Sequence, residues 1–224
     1  MNKKEIEELL YVKKDFSKIK EILKSPLDAW SFNILAKISL QEKAIEKAQD
    51  YFNKAGNFYG CAYCEFLKGD LENVKGFLLI EKESSNASNW LNNLCSILQG
   101  DFSNMPTYFE IRSYYEQDLE MLFKYDKKDI INKILHLSSL FEKYNGEIHK
   151  FNGRVLKNNG YINLSEECLL KSLDICYNDP ETHYLLGELY EDKGDIQLAK
   201  KEYQKAIDVN KGYFPAYKKL QKIN

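Results

Sequence analysis

A turn that recurs along the chain at intervals of 26 to 34 residues constrains the fold more than any other feature. Two copies, residues 67–74 and 98–105, match almost residue for residue, and each holds a Gly-Asp pair followed by an apolar residue. Glycine can end a helix in the left-handed conformation, and aspartate can accept the first free amides of the next helix. Each unit is therefore predicted to be a helix, a tight turn and a second helix. The seven predicted turns lie at Lys14, Lys43, Gly69, Gly100, Lys128, Gly160 and Gly194.

Two columns of apolar residues follow the same register, as paired helices that bury one stripe each require. The column five residues before each turn holds Leu9, Ile38, Cys64, Cys95, Phe123, Val155 and Leu189. The column nine residues after each turn holds Leu23, Phe52, Leu78, Phe109, Leu137, Leu169 and Tyr203. The spacing leaves no room for a sheet, so we expect an all-α chain of about fifteen helices that ends in a capping helix over residues 215–223.

Composition excludes several classes of protein. The net charge is −2 and arginine occurs at two positions, Arg112 and Arg154, so a dedicated nucleic-acid binder is not expected. The most apolar stretch, residues 77–80, is far shorter than the roughly 18 to 20 residues that cross a bilayer, and the charged N-terminus does not resemble a secretion signal. Five cysteines, an odd number, favour thiols in a reducing compartment. We therefore expect a cytoplasmic protein with no membrane span.

Residues 180–213 resemble the tetratricopeptide repeat (TPR) family, whose 34-residue pattern sets small residues where two helices approach closely. The residues that carry the resemblance are Leu186, Gly187, Tyr190, Gly194, Ala199, Tyr203 and Ala206. The preceding unit matches at a period of 34 through Gly153, Leu156, Gly160, Ser165, Leu169 and Ser172, so the resemblance is strongest over about residues 146–213. It implies a right-handed solenoid of about seven TPR-like hairpins. We expect a single α-solenoid domain over 1–224, with shorter, degenerate repeats in 1–145 and regular repeats plus the cap in 146–224.

The resemblance also implies a concave surface lined by the first helix of each hairpin. The family's concave positions, carried over to this sequence, predict partner-binding residues at Tyr59, Tyr63, Phe66, Trp90, Lys150, Arg154, Lys157, Tyr184 and Glu188. In one interpretation the aromatic rings anchor a partner segment and the basic row selects its acidic end. In the other, the rings are buried and the basic row pairs with Glu188, Glu191 and Asp192. The family's carboxylate clamp is not expected, because Lys150 is followed by Arg154 instead of asparagine.

Residues that could carry chemistry are interpreted as structural. Cys61 and Cys64 have the spacing of a metal or redox pair, but the chain has no second pair and Cys64 belongs to an apolar column. His149 and His183 are 34 residues apart, which indicates a shared packing position. No phosphate-binding loop, zinc-protease motif or nucleophile elbow is present. We therefore predict a non-catalytic protein without a cofactor or metal.

The predicted function is a protein–protein interaction scaffold that binds a partner peptide or helix of unknown identity in its concave groove. Two alternatives stay open. One is self-assembly through the solenoid ends or the tyrosine-rich surface within residues 108–125, which would make the protein a homo-oligomer. The other is an enzyme with an unrecognised site around His136 or His149, for which a deep pocket would be the distinguishing observation.

Overall fold

A computed structural model describes residues 3–26, 28–81 and 85–223, and these residues form helices joined by turns, with no β-strand among them. The predicted all-α fold is confirmed. The helices are α1 (Lys3–Glu8), α2 (Phe16–Ile22), α3 (Ala29–Gln41), α4 (Ile45–Lys54), α5 (Phe58–Lys68), α6 (Leu71–Ile80), α7 (Asn86–Leu98), α8 (Tyr108–Glu110), α9 (Glu116–Lys124), α10 (Lys128–His136), α11 (Ser138–Phe141), α12 (Ile148–Asn158), α13 (Ile162–Ile175), α14 (Pro180–Asp192), α15 (Ile196–Val209) and α16 (Phe214–Ile223).

Two π-helical turns extend these helices. Leu9–Lys13 continues α1, and Ile111–Tyr115 joins α8 to α9 without a break. Because α8 and α9 form one continuous segment, the described residues hold fifteen helical segments.

The chain divides into two compact units. The N-terminal unit runs to Met105 and includes Lys124–Ile130, and the C-terminal unit comprises Pro106–Phe123 and the residues from Ile131 onward. The expectation of a single domain over 1–224 stays a prediction.

The N-terminal unit is built from helical hairpins. Helix α3 packs against α4, and α5 against α6, while α4 also contacts α5 and α6 contacts α7. In this unit Asp15 and Asp70 cap the helices that follow their turns, as expected: the side chain of Asp70 accepts a hydrogen bond of 3.1 Å from the backbone amide of Asn73. A cluster of apolar side chains from α1 to α3 closes the start of this unit, with Ile19 and Ile38 fully buried.

The C-terminal unit ends in two regular hairpins and a cap. Helix α12 packs against α13 and α14 against α15, with α13 contacting α14 and α16 contacting α15. The cluster that joins α15 to α16 contains Tyr203, Ala206 and Ala216, all fully buried. The predicted capping helix over residues 215–223 is therefore present.

The backbone reverses at six of the seven predicted turns. Positive φ angles occur at Lys14 (52°), Lys43 (61°), Gly69 (94°), Gly100 (90°), Gly160 (83°) and Gly194 (80°). The prediction of a turn at Lys128 is wrong, because Lys128 begins α10 and the left-handed residue is Asp126, at 54°. Aspartate tolerates this conformation better than most residues with a side chain, which explains the shift of two positions.

The fourth unit differs most from the expected pattern. No helix begins directly after Gly100, because residues 101–107 are non-helical. Pro106 disfavours a helical conformation at the residue before it. The next helix begins at Tyr108, where Thr107 and Glu110 form a capping box. Phe109 is consequently 76% exposed, and the prediction that it is buried in the second column is wrong.

The other column positions are buried or half-buried. In the first column Phe123 is half-buried and the remaining six side chains are buried. In the second column Leu23, Phe52, Leu169 and Tyr203 are buried, while Leu78 and Leu137 are half-buried. The columns thus report the core accurately where the hairpins are regular.

Candidate functional site

Most of the aromatic residues predicted to line a groove in the N-terminal unit are buried in the core of that unit. Phe66 and Trp90 are fully buried, and Tyr63 is 7% exposed. Tyr59 is half-buried, and its ring stacks on Tyr63 with 6.1 Å between centroids. The interpretation that the rings are buried therefore holds for Phe66 and Trp90, which stabilise the core. Binding of a partner by Tyr59 and Tyr63 stays a prediction.

Lys150, in the C-terminal unit, is a buried cation surrounded by carboxylates. Its ammonium nitrogen lies 2.8 Å from Glu147, 3.0 Å from Asp179 and 3.1 Å from Glu181. Burial alone would lower the pKa of Lys150, but the hydrogen bonds and the three negative charges outweigh it and raise the pKa above the ordinary value. The charge of Lys150 is therefore compensated within the unit.

Arg154 and Lys157 continue this row of basic residues on α12. Arg154 donates to both carboxylate oxygens of Glu116 at 2.9 Å and to Glu181 at 2.6 Å. Lys157 donates to Glu188 at 2.8 Å. The pairing of Lys157 with Glu188 matches the ion-pair interpretation of the sequence, whereas Arg154 and Lys150 pair with acids other than those it named. A partner carboxylate would have to displace these internal bonds.

An open groove beside α14 and α16 contains accessible side chains. We call it the cap groove and define it by the residues Tyr184, Phe214, Pro215, Lys218, Lys219 and Lys222, around a volume of about 320 Å³. This volume is at the small end of ligand sites, which suits one or two side chains of a partner better than a whole cofactor. Tyr184 belongs to the partner-binding residues predicted from the sequence.

Tyr184, the one tyrosine among the cap-groove residues, packs against two further tyrosine rings. The Tyr184 ring lies 5.6 Å from the Tyr203 ring and 5.7 Å from the Tyr213 ring between centroids. The hydroxyl of Tyr184 donates to Glu188 at 2.9 Å, and that of Tyr203 donates to Glu191. Burial raises the pKa of Tyr184 and of Tyr203, and their bonds to carboxylates raise it further, so both hydroxyls remain donors.

The three lysines of the cap groove are in different electrostatic situations. Lys219 lies 2.9 Å from Glu191 and 3.4 Å from Glu188, and these acids keep its pKa above the ordinary value although burial opposes them. Lys218 and Lys222 are exposed and form no ion pair with any part of the chain that the structure describes. Phe214 is 71% exposed. The groove thus offers two free positive charges beside an accessible aromatic ring.

The sequence pattern predicts a solvent-facing cap for the lysines of α16 and does not include them in the binding surface. A signal was present, since Phe214, Lys218 and Lys222 are spaced four residues apart and such residues share one face of a helix. Tyr184 was found through its repeat position. The side chains of α16 have no repeat position to compare, because the cap represents half a unit.

Two of the histidines, His149 and His183, and the cysteine pair Cys61 and Cys64 are buried. The Nδ1 atom of His183 lies 2.8 Å from Glu202 and the Nε2 atom of His149 lies 2.9 Å from Glu142, and both rings are buried. Burial raises the pKa of the Cys64 thiol to about 12 and also raises that of Cys61, so both stay protonated at neutral pH. Over residues 3–26, 28–81 and 85–223, no three metal-binding side chains cluster in the way a metal site requires.

None of the helices within the described ranges combines the length and apolar character needed to cross a bilayer.

Comparison with known proteins assigns one repeat. Residues 180–213, which contain α14 and α15, match the family described as Tetratricopeptide repeat, and the predicted resemblance is confirmed there. A segment of 60 residues is 43% identical to the Sol locus transcriptional repressor of Clostridium acetobutylicum. That segment covers 27% of this chain and 19% of the repressor's length.

Two solved structures are similar at low sequence identity. YrrB, titled a TPR protein with an unusual peptide-binding site, is 16% identical, with 90% of this chain and 96% of YrrB covered and a TM-score of 0.39. The APC/C heterotetramer Cut9–Hcn1 is 13% identical, with 95% of this chain and 46% of that chain covered and a TM-score of 0.40.

Proposed function

We propose that this chain, which carries a tetratricopeptide repeat at residues 180–213, is a non-catalytic scaffold that binds a peptide or helix of a partner protein in the cap groove. Stacked hairpins of this kind offer extended surfaces to partner proteins. The fold itself does not require a reactive group on such a surface. The observation that carries the proposal is the exposure of Phe214, Lys218 and Lys222 around the half-buried Tyr184. We place this role in the cytoplasm.

The residues predicted from the sequence enter this proposal unequally. Tyr184 lines the cap groove, and Glu188 accepts the hydrogen bond of its hydroxyl. Lys157 binds the same Glu188 and so links α12 to α14. Tyr59, which is half-buried and stacks on the buried Tyr63, provides a second, smaller surface in the N-terminal unit. Exposed aromatic side chains with few rotatable bonds are effective anchors, because fixing them on binding costs little conformational entropy.

Site-specific photo-crosslinking tests the scaffold role. A photoreactive phenylalanine analogue replaces Phe214 in the full chain, and the protein is irradiated in an extract of its own cells. The matched control carries the analogue at Tyr177, another aromatic residue of the C-terminal unit that is 69% exposed and lies outside the cap groove. We expect a defined protein adduct at position 214 that is missing at 177. Identical adducts at both positions, or none at 214, would contradict the proposal.

Self-assembly is the second candidate, and one observation favours it. Tyr108 and Phe109 are 42% and 76% exposed and contact each other edge to face, with 5.4 Å between centroids. Exposed neighbouring rings favour association of copies. Sedimentation at increasing concentration tests it: a constant monomer mass for the wild type would reject self-assembly, whereas a dimer that Phe109→Ser returns to monomer would support it.

A further inference from the structure

We propose that the cap groove selects an acidic segment of its partner, one that carries two carboxylates about one helical turn apart and an apolar side chain one turn beyond that pair. The inference rests on the proposed scaffold function and names the chemistry of the ligand. It is drawn from the charges, spacing and exposure of the groove residues.

Charges around the cap groove do not cancel. Glu188 and Glu191 are matched by Lys157 and Lys219, which lie within 2.8 to 3.4 Å of them. Lys218 and Lys222 remain in addition, so the groove is locally positive although the chain as a whole has a net charge of −2. A positive surface on an acidic protein attracts acidic segments and repels basic ones.

Spacing on α16 sets the spacing required in the ligand. Residues four apart on a helix lie about 6 Å apart along its axis, so Lys218 and Lys222 present two ammonium groups roughly one turn from each other. Two carboxylates at positions i and i+4 of a helical segment have the same separation. A segment of this kind can therefore meet both lysines at once.

An apolar contact completes the ligand. Phe214 lies one turn before Lys218, and its exposed ring lines the groove together with Pro215 and Tyr184. An aliphatic or aromatic side chain one turn beyond the pair of carboxylates would remove apolar surface of Phe214 from water. Glu188 and Glu191 already bind Tyr184, Tyr203 and Lys219. They are therefore not available to attract a basic partner, which Lys218 and Lys222 repel.

Fluorescence polarisation with three labelled peptides of equal length tests the inference on the full chain. The first is helical and carries glutamates at i and i+4, with a leucine one turn before and one turn after the pair. The second replaces these leucines by serine, and the third replaces the glutamates by lysines. The groove variant is Lys218→Glu with Lys222→Glu. The control variant is Lys143→Glu with Lys201→Glu, which makes the same change of charge at two exposed lysines of the C-terminal unit outside the groove.

We expect the glutamate–leucine peptide to bind best, to lose at least about tenfold in affinity to the groove variant and less than about twofold to the control. We also expect its binding to weaken several-fold between about 50 and 300 mM salt, because exposed charges are screened. Absence of binding by this peptide, equal binding of the lysine peptide, or equal loss in both variants would overturn the inference. Crosslinking at position 214 is independent of these outcomes, so a scaffold that prefers another ligand would be recognised as such.

Discussion

The ring of Tyr203 fills the space in which any side chain on Gly187 would stand: a Cβ there would lie 2.4 Å from the ring. The same relationship recurs one hairpin earlier, where a Cβ on Gly153 would lie 2.5 Å from the side chain of Leu169. In both hairpins the glycine lies seven residues before the turn and its partner nine after it. The close approach of the paired helices thus depends on a missing side chain.

Gly187→Ala is predicted to destabilise the protein by about 1 to 2 kcal/mol, because overpacking the hairpin outweighs the better helix propensity of alanine. The matched control is Gly76→Ala in α6, where a Cβ would meet nothing within 4 Å. That substitution is predicted to raise stability by up to about 1 kcal/mol. Urea unfolding monitored by circular dichroism measures both changes, and equal signs would contradict the explanation.

Lys43→Gly is predicted to stabilise the protein by about 0.5 to 1 kcal/mol. Lys43 has a φ of 61°, a conformation that costs a residue with a side chain roughly 1 to 2 kcal/mol, and part of this gain is offset by the greater freedom of glycine when unfolded. Lys47→Gly, four residues later within α4, is the control and is predicted to lose about 1 kcal/mol. A destabilised Lys43→Gly in thermal unfolding would show that the lysine side chain matters more than the turn.

Lys150→Met is predicted to destabilise the protein by about 2 to 4 kcal/mol at pH 7, since it leaves Asp179, Glu147 and Glu181 without their shared cation. The control is Lys54→Met, which removes an exposed pair with Asp50 and is predicted to cost less than about 0.5 kcal/mol. Chemical unfolding at pH 7 compares the two, and similar losses would show that burial of Lys150 adds nothing.

The same variant is predicted to change how stability depends on pH. Burial raises the pKa of Asp179, but hydrogen bonds from Thr182 and Lys150 outweigh it, so the pKa lies below its ordinary value of 3.8. The stability from this carboxylate is therefore fully present above about pH 4 and is lost as the pH falls further. Loss of the hydrogen bond and charge of Lys150 should raise the pKa of Asp179 in Lys150→Met, so the stability deficit of this variant should shrink as the pH falls from 7 toward and below 4. A deficit independent of pH would contradict this assignment.

Thiol labelling is predicted to be fast at Cys176 and slow at Cys61 and Cys64. Cys176 is exposed, whereas the other two are buried and their pKa values are raised, so little thiolate is available to react. Labelling with a disulfide reagent in native buffer should show one fast equivalent that Cys176→Ser removes. Rapid labelling of Cys61 or Cys64 would revive the redox interpretation of that pair.

The hairpins were predictable because their determinants are local. Gly69-Asp70 ends one helix and caps the next within three residues, and such a signal is visible in sequence. The failures have local causes as well. Pro106 delays the helix after Gly100, which exposes Phe109, and Asp126 takes over the turn expected at Lys128.

The candidate site was less predictable, because it depends on which side chains neighbours cover. Lys150 and Lys222 look alike in sequence, yet one is 4% exposed among three carboxylates and the other is exposed on α16. Trp90 occupies a position that would line a groove in a regular repeat, but it is fully buried here. Such differences arise from contacts between helices distant in sequence, which a repeat pattern does not encode.

The shallow burial of helix α16 determines how persistently the cap groove stays formed. Ala216 is its one fully buried residue, whereas α14 buries six. Transient detachment of α16 should therefore cost less free energy, and its amides should exchange with solvent faster than those of α14. Detachment would separate Phe214 and the lysines from Tyr184 and dismantle the groove. A ligand that bridges α14 and α16 therefore stabilises the attached position of α16. Hydrogen exchange along α16 should be slower with the ligand bound than without it, which detects binding without a label on the ligand.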